Sequence, residues 1–441
     1  MITDVLVAFS VFVFLGFLGF VSARGWKVSP APFFVVALSL IVVGVSTQLS
    51  ISPFYLGLGD GGQYLDWATA ISEAWREGQP WNDRAIWPGK GLWVLLIAVM
   101  NFFFGPVLIS LIVINAAVFS FSLILLQKTM GLLFGVRPKW TIIVLTLTSS
   151  PVLLFTPTLL REAFFWFGIT AGILAIAYFY RTSYVAGLAF LLLSVLVVIG
   201  IRPNLGVLIA YPLVAVVIAM WAVRKGSVSI SRILIGSSLI AVLGVTFFPA
   251  VSALATADVV ETVTVVSRSL ANSGDPTTGL QQDKSGGPSN FCNSTSYVGI
   301  LCNSLARLPA FIFGPFLWEI GPEPIWIVVI ASSLHFLFLL ATSVLFLFQK
   351  KQRNLATLGL FALALITLLI LAAVLTNYGI IIRFRVVVEL FLFPLTLGFL
   401  LQRRDGISPP KREWQLPRFA RKAQDTTTQR IEGFKPASRG R

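Results

Sequence analysis

Long apolar blocks alternate with short polar clusters along almost the whole chain. Windows close to the roughly 20 residues needed to cross a bilayer recur at 5–21, 32–49, 106–126, 141–155, 163–180, 184–200, 205–222, 233–251, 325–348, 355–375 and 386–401. Blocks of that length are helices, because in lipid the backbone must satisfy its own hydrogen bonds. The pattern therefore predicts an all-α polytopic membrane protein with about eleven transmembrane helices. One further block, Gly91–Phe104 (GLWVLLIAVMNFFF), is apolar but too short to cross comfortably, and it reads as a re-entrant or juxtamembrane helix on the outer side.

Charge decides that case. With Gly91–Phe104 left out of the count, the turns carrying Arg24/Lys27, Lys128/Arg137/Lys139, Arg181, Arg224/Lys225/Arg232 and Lys350/Lys351/Arg353 share one side, and none of them contains an acid. Every acid outside the C-terminal tail then falls on the opposite side. Lys and Arg mark cytoplasmic loops, so the N-terminus is expected outside and the C-terminus in the cytoplasm of a multi-pass plasma-membrane protein. The block 5–21 has no basic residue before it and Arg24 and Lys27 just after it, which reads as a retained span and not a signal peptide.

Composition changes the picture mainly through the tail. The chain is 56% hydrophobic and 12% charged, about half the charged share of a soluble domain. Its net charge of +15 would suggest nucleic acid in a soluble protein, but 11 of the 33 Lys and Arg lie in 402–441, with four acids. Residues 1–401 are thus read as the transmembrane domain, and 402–441 as a basic tail that lies on anionic lipid headgroups or stays disordered. No nucleic-acid partner is implied.

Two outer loops, 50–91 and 252–323, interrupt the apolar pattern. The first holds GDGGQYLDWATAISEAWREG at 59–78. Its bland reading is an amphipathic interfacial helix, with Trp67, Ile71, Ala74 and Trp75 on one face and Asp66, Glu73 and Glu77 on another. That leaves Asp60, expected just before the helix in LGLGDGG, where glycines let a backbone approach a ligand. The second loop holds both cysteines, Cys292 and Cys302, an even pair in an oxidising compartment that reads as a disulfide.

Other ionisable groups gather at the outer ends of spans: Lys90 before Gly91–Phe104, Arg161 and Glu162 in PTLLREAFF, Arg202 in IRPN, and Arg383 and Arg385 in NYGIIIRFRVVVE. Arginines on separate outer loops form a cradle suited to phosphate, which guanidinium binds in pairs of hydrogen bonds. Each also has a plain alternative. Glu162 suits a helix N-terminus, Arg385 and Glu389 stand four apart and can pair, and the single His335 fits a packing role. GITAG at 168–172 is a helix-packing signal. There is no phosphate-binding loop, dinucleotide fingerprint, metal-ligand spacing or nucleophile elbow, so neither cofactor nor metal is expected.

The order of these pieces resembles the C-type glycosyltransferase superfamily, multispan enzymes that take sugars from polyprenyl-phosphate carriers. The matching residues are Asp60, Tyr64 and Ala68 in a D-x3-Y-x3-A pattern, then WPGKGLWVLLIAVMNFFFG, then TPTLLREAFFWF. The resemblance implies that Asp60 is the catalytic base or its orienter, that Gly91–Phe104 is a juxtamembrane helix, and that Glu162 is a second functional acid. Gly61 follows Asp60 where the family often has another acid, which speaks against a metal in that loop. The RFR element and the Pro-x-x-x-Arg-Glu approach to a span also resemble bacterial oligosaccharide-repeat polymerases.

The expected activity is transfer of a sugar from a polyprenyl-phosphate-linked donor to a glycan or lipid acceptor at the outer face. Asp60 would take the proton of the acceptor hydroxyl. Arg161, Arg202 and Arg383, with Lys90 and Arg385 as further binding candidates, would hold the leaving phosphate. A polymerase of lipid-linked oligosaccharide repeats would use the same arginines. A transporter or flippase of lipid-linked sugars is the rival of another class; it would be expected to show internal repeats, broken spans and polar groups at depth, where the sequence offers only His335.

Overall fold

The computed structural model describes residues 2–50, 60–80, 91–158, 161–181, 183–224, 297–314, 325–349, 354–375 and 378–405. Among them every regular element is a helix: α1 (Ile2–Gly25), α2 (Ala31–Ser50), α3 (Asp60–Arg76), α4 (Gly91–Phe104), α5 (Leu108–Phe134), α6 (Trp140–Leu147), α7 (Ser150–Phe155), α8 (Glu162–Arg181), α9 (Tyr184–Ile201), α10 (Pro203–Arg224), α11 (Tyr297–Phe313), α12 (Ile325–Phe348), α13 (Leu355–Val374) and α14 (Tyr378–Asp405). Seven of the described helices are long and apolar enough to cross a membrane: α1, α5, α8, α9, α12, α13 and α14. The protein is an all-helical membrane protein. The chain divides into Met1–Ile407 and Ser408–Arg441, and the second unit, like the block 233–251, lies outside the described residues.

The bundle is built around α14, which packs against α5, α7, α8, α12 and α13. Of the apolar window of α14, 94% is buried, against 17% of the window of α1, whose Leu6, Phe9, Phe14 and Phe17 face outward. Between helices lipid offers no hydrophobic gain, so close packing and polar ties must hold them. The GITAG signal serves the first: a Cβ on Gly172 would stand 2.5 Å from a Leu213 methyl and 2.8 Å from Ser194 Oγ, so α8 meets α9 and α10 where it has no side chain. Asp4 serves the second. Its carboxylate accepts from Ile109 N at 2.8 Å, Ser110 N at 3.0 Å and Ser110 Oγ at 2.7 Å, closing the N-terminus of α5 from another helix. At the other end, Gln127 of α5 exchanges hydrogen bonds with the Ser29 backbone, and Arg137 donates to the Lys27 carbonyl. Helices α1 and α5 therefore run parallel, with their basic turns together.

Three expectations need correcting. The block 141–155 is not one helix but two, α6 and α7, interrupted at Thr148 and Ser149. Thr148 folds its hydroxyl back onto the carbonyls of Val144 and Leu145, and Pro151 cannot continue a helix hydrogen-bond ladder but fits a first turn. Second, the loop 252–323 contains a 17-residue helix, α11. Its inner stripe is Asn303, Ser304, Arg307, Ala310 and Phe311, while Leu305 and Phe313 point outward. Third, α14 starts earlier than the block 386–401, so Arg383 and Arg385 lie within the apolar helix, as Glu389 does, and not before it.

Candidate functional site

The segment Asp60–Arg76 folds as an amphipathic helix. In α3, Tyr64, Ala68, Ile71 and Ser72 are buried, while Gln63, Asp66 and Glu73 are exposed, as is Glu77 just after it. The buried stripe rests on α4, through Trp75 against Phe102 (ring centres 6.1 Å apart) and Asn101 Nδ2 donating to Thr69 Oγ1 at 3.4 Å. Protein, not lipid alone, therefore covers the apolar face. From sequence Asp60 is expected in a glycine turn before the helix; instead it is the first residue of α3. The reason is electrostatic: an acid in the first turn of a helix is favoured by the helix dipole. Asp60, Tyr64 and Ala68 stand at i, i+4 and i+8, one stripe of α3.

Tyr64 brings that stripe to the residues that open α8. The Arg161 guanidinium lies 5.8 Å from the centre of the Tyr64 ring, and its Nη1 donates to the Ile201 carbonyl at 3.1 Å. Glu162, next in sequence and fully buried, opens α8 and forms an ion pair with Arg202, the single residue between α9 and α10. Arg202 in turn lies over the Phe384 ring at 4.9 Å, and its neighbour Arg383 lies over the Phe155 ring at 4.7 Å. Thus Arg161, Glu162, Arg202 and Arg383, from three chain segments, converge beside the helix that begins at Asp60.

Local chemistry explains these placements. Pro203 opens α10 directly after Arg202, and Gly206 lets that turn close: a Cβ there would meet the Val198 carbonyl oxygen at 2.4 Å. Asn115 of α5 holds the α7–α8 turn by donating to the Thr158 carbonyl at 2.6 Å. Glu162 gains from the α8 N-terminus as well as from Arg202. Its second oxygen, Oε2, together with Trp166 Nε1 and Thr156 Oγ, is buried without a hydrogen-bond partner among the described residues. The site can bind an anion through guanidinium groups and two helix N-termini, and it has acceptor and donor atoms below that layer to meet hydroxyls.

Arg385 is held elsewhere. It is fully buried and donates to the carbonyls of Phe311 at 2.8 Å, Gly314 at 2.7 Å and Ala310 at 3.4 Å, and to Ser333 Oγ at 2.6 Å, closing the C-terminus of α11. Lys90 and Cys292 lie outside the described residues. Cys302 is a half-buried residue of α11. No group of three or more His, Cys, Asp or Glu side chains able to hold a metal occurs among the described residues.

Sequence reasoning passed over Arg307 and the neighbourhood of Glu389. Arg307 is 1% exposed and donates to the Ala373 carbonyl at 2.9 Å, at the end of α13. Glu389 is met by Ser149 from the α6–α7 break and by His335. The available signal was Ser-Ser-Pro at 149–151, a helix-start pattern inside an apolar block. No family model, curated protein or solved structure matches the chain.

Proposed function

We propose that the protein is an integral membrane glycosyltransferase that moves a sugar from a polyprenyl-phosphate carrier to a glycan or lipid acceptor at the outer face of the membrane. The carrying observation is the convergence of Arg161, Arg202 and Arg383 with the N-termini of α8 and α10, beside the helix headed by Asp60. Cations at helix N-termini meet an unfavourable dipole, so that arrangement is suited to an anion such as the carrier phosphate. Asp60 is the base for the acceptor hydroxyl, Glu162 orients Arg202, and the three arginines stabilise the phosphate as it leaves.

The topology that goes with this reading has about eleven spans, α4 juxtamembrane, the N-terminus outside and the tail in the cytoplasm. It is supported by the parallel course of α1 and α5, which needs an even number of reversals between them, as when α2 returns and α4 does not cross. A Cys292–Cys302 disulfide belongs to the same outer-side reading; mass analysis under non-reducing conditions should find no free thiol. A transporter of the same lipid-linked sugars is the second reading, favoured by the broken α6–α7 pair and the buried Glu389.

The test is Asp60→Asn in purified protein supplied with lipid-linked sugar donor. Transfer should fall by about 10²–10⁴-fold while carrier binding survives. Full transfer by Asp60→Asn would sink the enzyme assignment of this loop and favour the transporter.

A further inference from the structure

The α6–α7 break faces two ionisable side chains buried in the bundle, apart from the arginine layer. Glu389 of α14 is fully buried, and His335 of α12 is 8% exposed. Ser149 Oγ donates to Glu389 Oε2 at 3.1 Å, His335 Nε2 stands 3.9 Å from that oxygen, and Thr148 Oγ1 lies 3.5 Å from His335 Nδ1. Glu389 Oε1 and His335 Nε2 have no hydrogen-bond partner among the described residues. Two unsatisfied polar atoms, on neighbouring side chains within a membrane bundle, are costly features unless something binds there.

The surroundings narrow what that is. Among helices packed on α14, α7 and α13 contribute no ionisable residue, α5 carries Lys128 towards one end, and α8 has Glu162 at one end and Tyr178, Tyr180 and Arg181 at the other. Helix α11, packed on α12, brings Arg307, which donates to the Ala373 carbonyl. Arg385, one turn away on α14, is bound to the α11 carbonyls and Ser333. A metal ion would need more ligands than one carboxylate and one imidazole. The carbonyls ending α6 do not supply them: Thr148 covers Val144 and Leu145, and Ser149 N covers Thr146.

We propose that Glu389 and His335 form a proton-binding site inside the membrane domain, holding one proton between them at neutral pH. With one proton the pair is electrically neutral, either as carboxylic acid beside imidazole or as carboxylate beside imidazolium. With none it is a buried carboxylate, which the Arg385 guanidinium one turn away offsets only in part against full desolvation, and with two a buried cation beside that guanidinium; both are disfavoured in a low-dielectric interior. Interconversion is a proton transfer alone: the O–H bond at Glu389 Oε2 breaks as the N–H bond at His335 Nε2 forms. The present gap must shorten by roughly 1 Å to reach a charge-assisted hydrogen bond. Because Thr148 and Ser149 hold one member each, the proton's position is tied to how the broken span docks. This inference does not depend on the glycosyltransferase reading.

The sequence supplies the probe, since His335 is the only histidine. Full-length protein labelled with ¹⁵N-histidine, in lipid nanodiscs at pH 7, reports the imidazole charge by NMR. Infrared spectroscopy of the same sample reports a protonated carboxyl group. The expected result is one of the two, an imidazolium or a protonated carboxyl, and its loss in Glu389→Gln. Should that variant not fold, Ser149→Ala leaves both groups in place and should shift whichever signal is present, by removing the hydroxyl bound to Oε2. Neither signal in the native protein, both signals together, or a signal unmoved by either variant would overturn the proposal.

Discussion

Two sets of arginines in this bundle look alike in sequence and differ in what surrounds them. Arg76, Arg307 and Arg385 each end on carbonyls at the C-terminus of another helix: α4 for Arg76, α13 for Arg307 and α11 for Arg385. There the dipole favours a cation, and the carbonyls need donors. Arg161 and Arg202 share that feature only in part: Arg161 donates to the Ile201 carbonyl and Arg202 follows the last residue of α9, yet both also flank the starts of α8 and α10, and Arg383 lies near the start of α14, where the dipole opposes a cation. The first set is explained by the fold alone. The second is explained by the fold only in part, and so its members, not Arg385, are the better candidates for holding a ligand phosphate.

Substitutions can break that contrast. Arg385→Ala should have the largest effect, about 3–5 kcal/mol, because several buried carbonyls lose a charged donor at once. It should show as loss of folded protein on size-exclusion chromatography, and Arg385→Lys should not restore it, since an ammonium cannot span the same fork. Arg383→Ala, two residues away, should cost less, about 1–2 kcal/mol through its lost packing on the Phe155 ring, and should weaken carrier binding as well. Equal destabilisation by the two alanines would erase the distinction.

Smaller effects sharpen it. Gly206→Ala should cost about 1–3 kcal/mol, since its Cβ must push against the Val198 carbonyl, and it should also weaken anion binding by displacing Arg202. A melting-temperature drop with unchanged binding would show that the turn does not position the arginine. Asp4→Ala removes the cap of α5 and should cost about 1–2 kcal/mol without touching binding. Smallest is Asn354→Ala, which opens the capping box with Thr357 at the start of α13, for about 1 kcal/mol in the same melting assay.

Much of this was legible in the sequence where one physical rule acted alone. The length of apolar blocks gave α2, α8, α9, α10, α12 and α13 to within two residues, but left α1 short at both ends and α5 eight residues short at its C-terminus. Helical spacing gave the amphipathic character of α3, although of Trp67, Ile71, Ala74 and Trp75 only Ile71 is in the fully buried stripe. Reading failed where two rules competed. In 141–155 hydrophobicity asks for one span, whereas Ser149, Ser150 and Pro151 ask for a new helix start, and the break won. In α11 the usual amphipathic sense is mixed: Asn303, Ser304 and Arg307 turn inward beside Ala310 and Phe311, with Arg307 donating to α13, while Leu305 and Phe313 face out. The Arg385–Glu389 spacing suggested a surface pair. The positions of both side chains depend instead on α11, α12 and the α6–α7 break, contacts distant in sequence.

The Asp4 tie has a consequence for how the protein is made. The residues it joins lie 105 and 106 positions apart, so Asp4 leaves the ribosome well before Ile109 and Ser110 exist. At about 5–20 residues per second the interval is roughly 5–20 s. Throughout it, α1 must stand in the membrane with a carboxylate whose native partners are unmade, and little of its own surface is destined for burial. Docking of α1 is thereby timed by synthesis of α5, and the two helices register only once both starts have reached the same side of the bilayer.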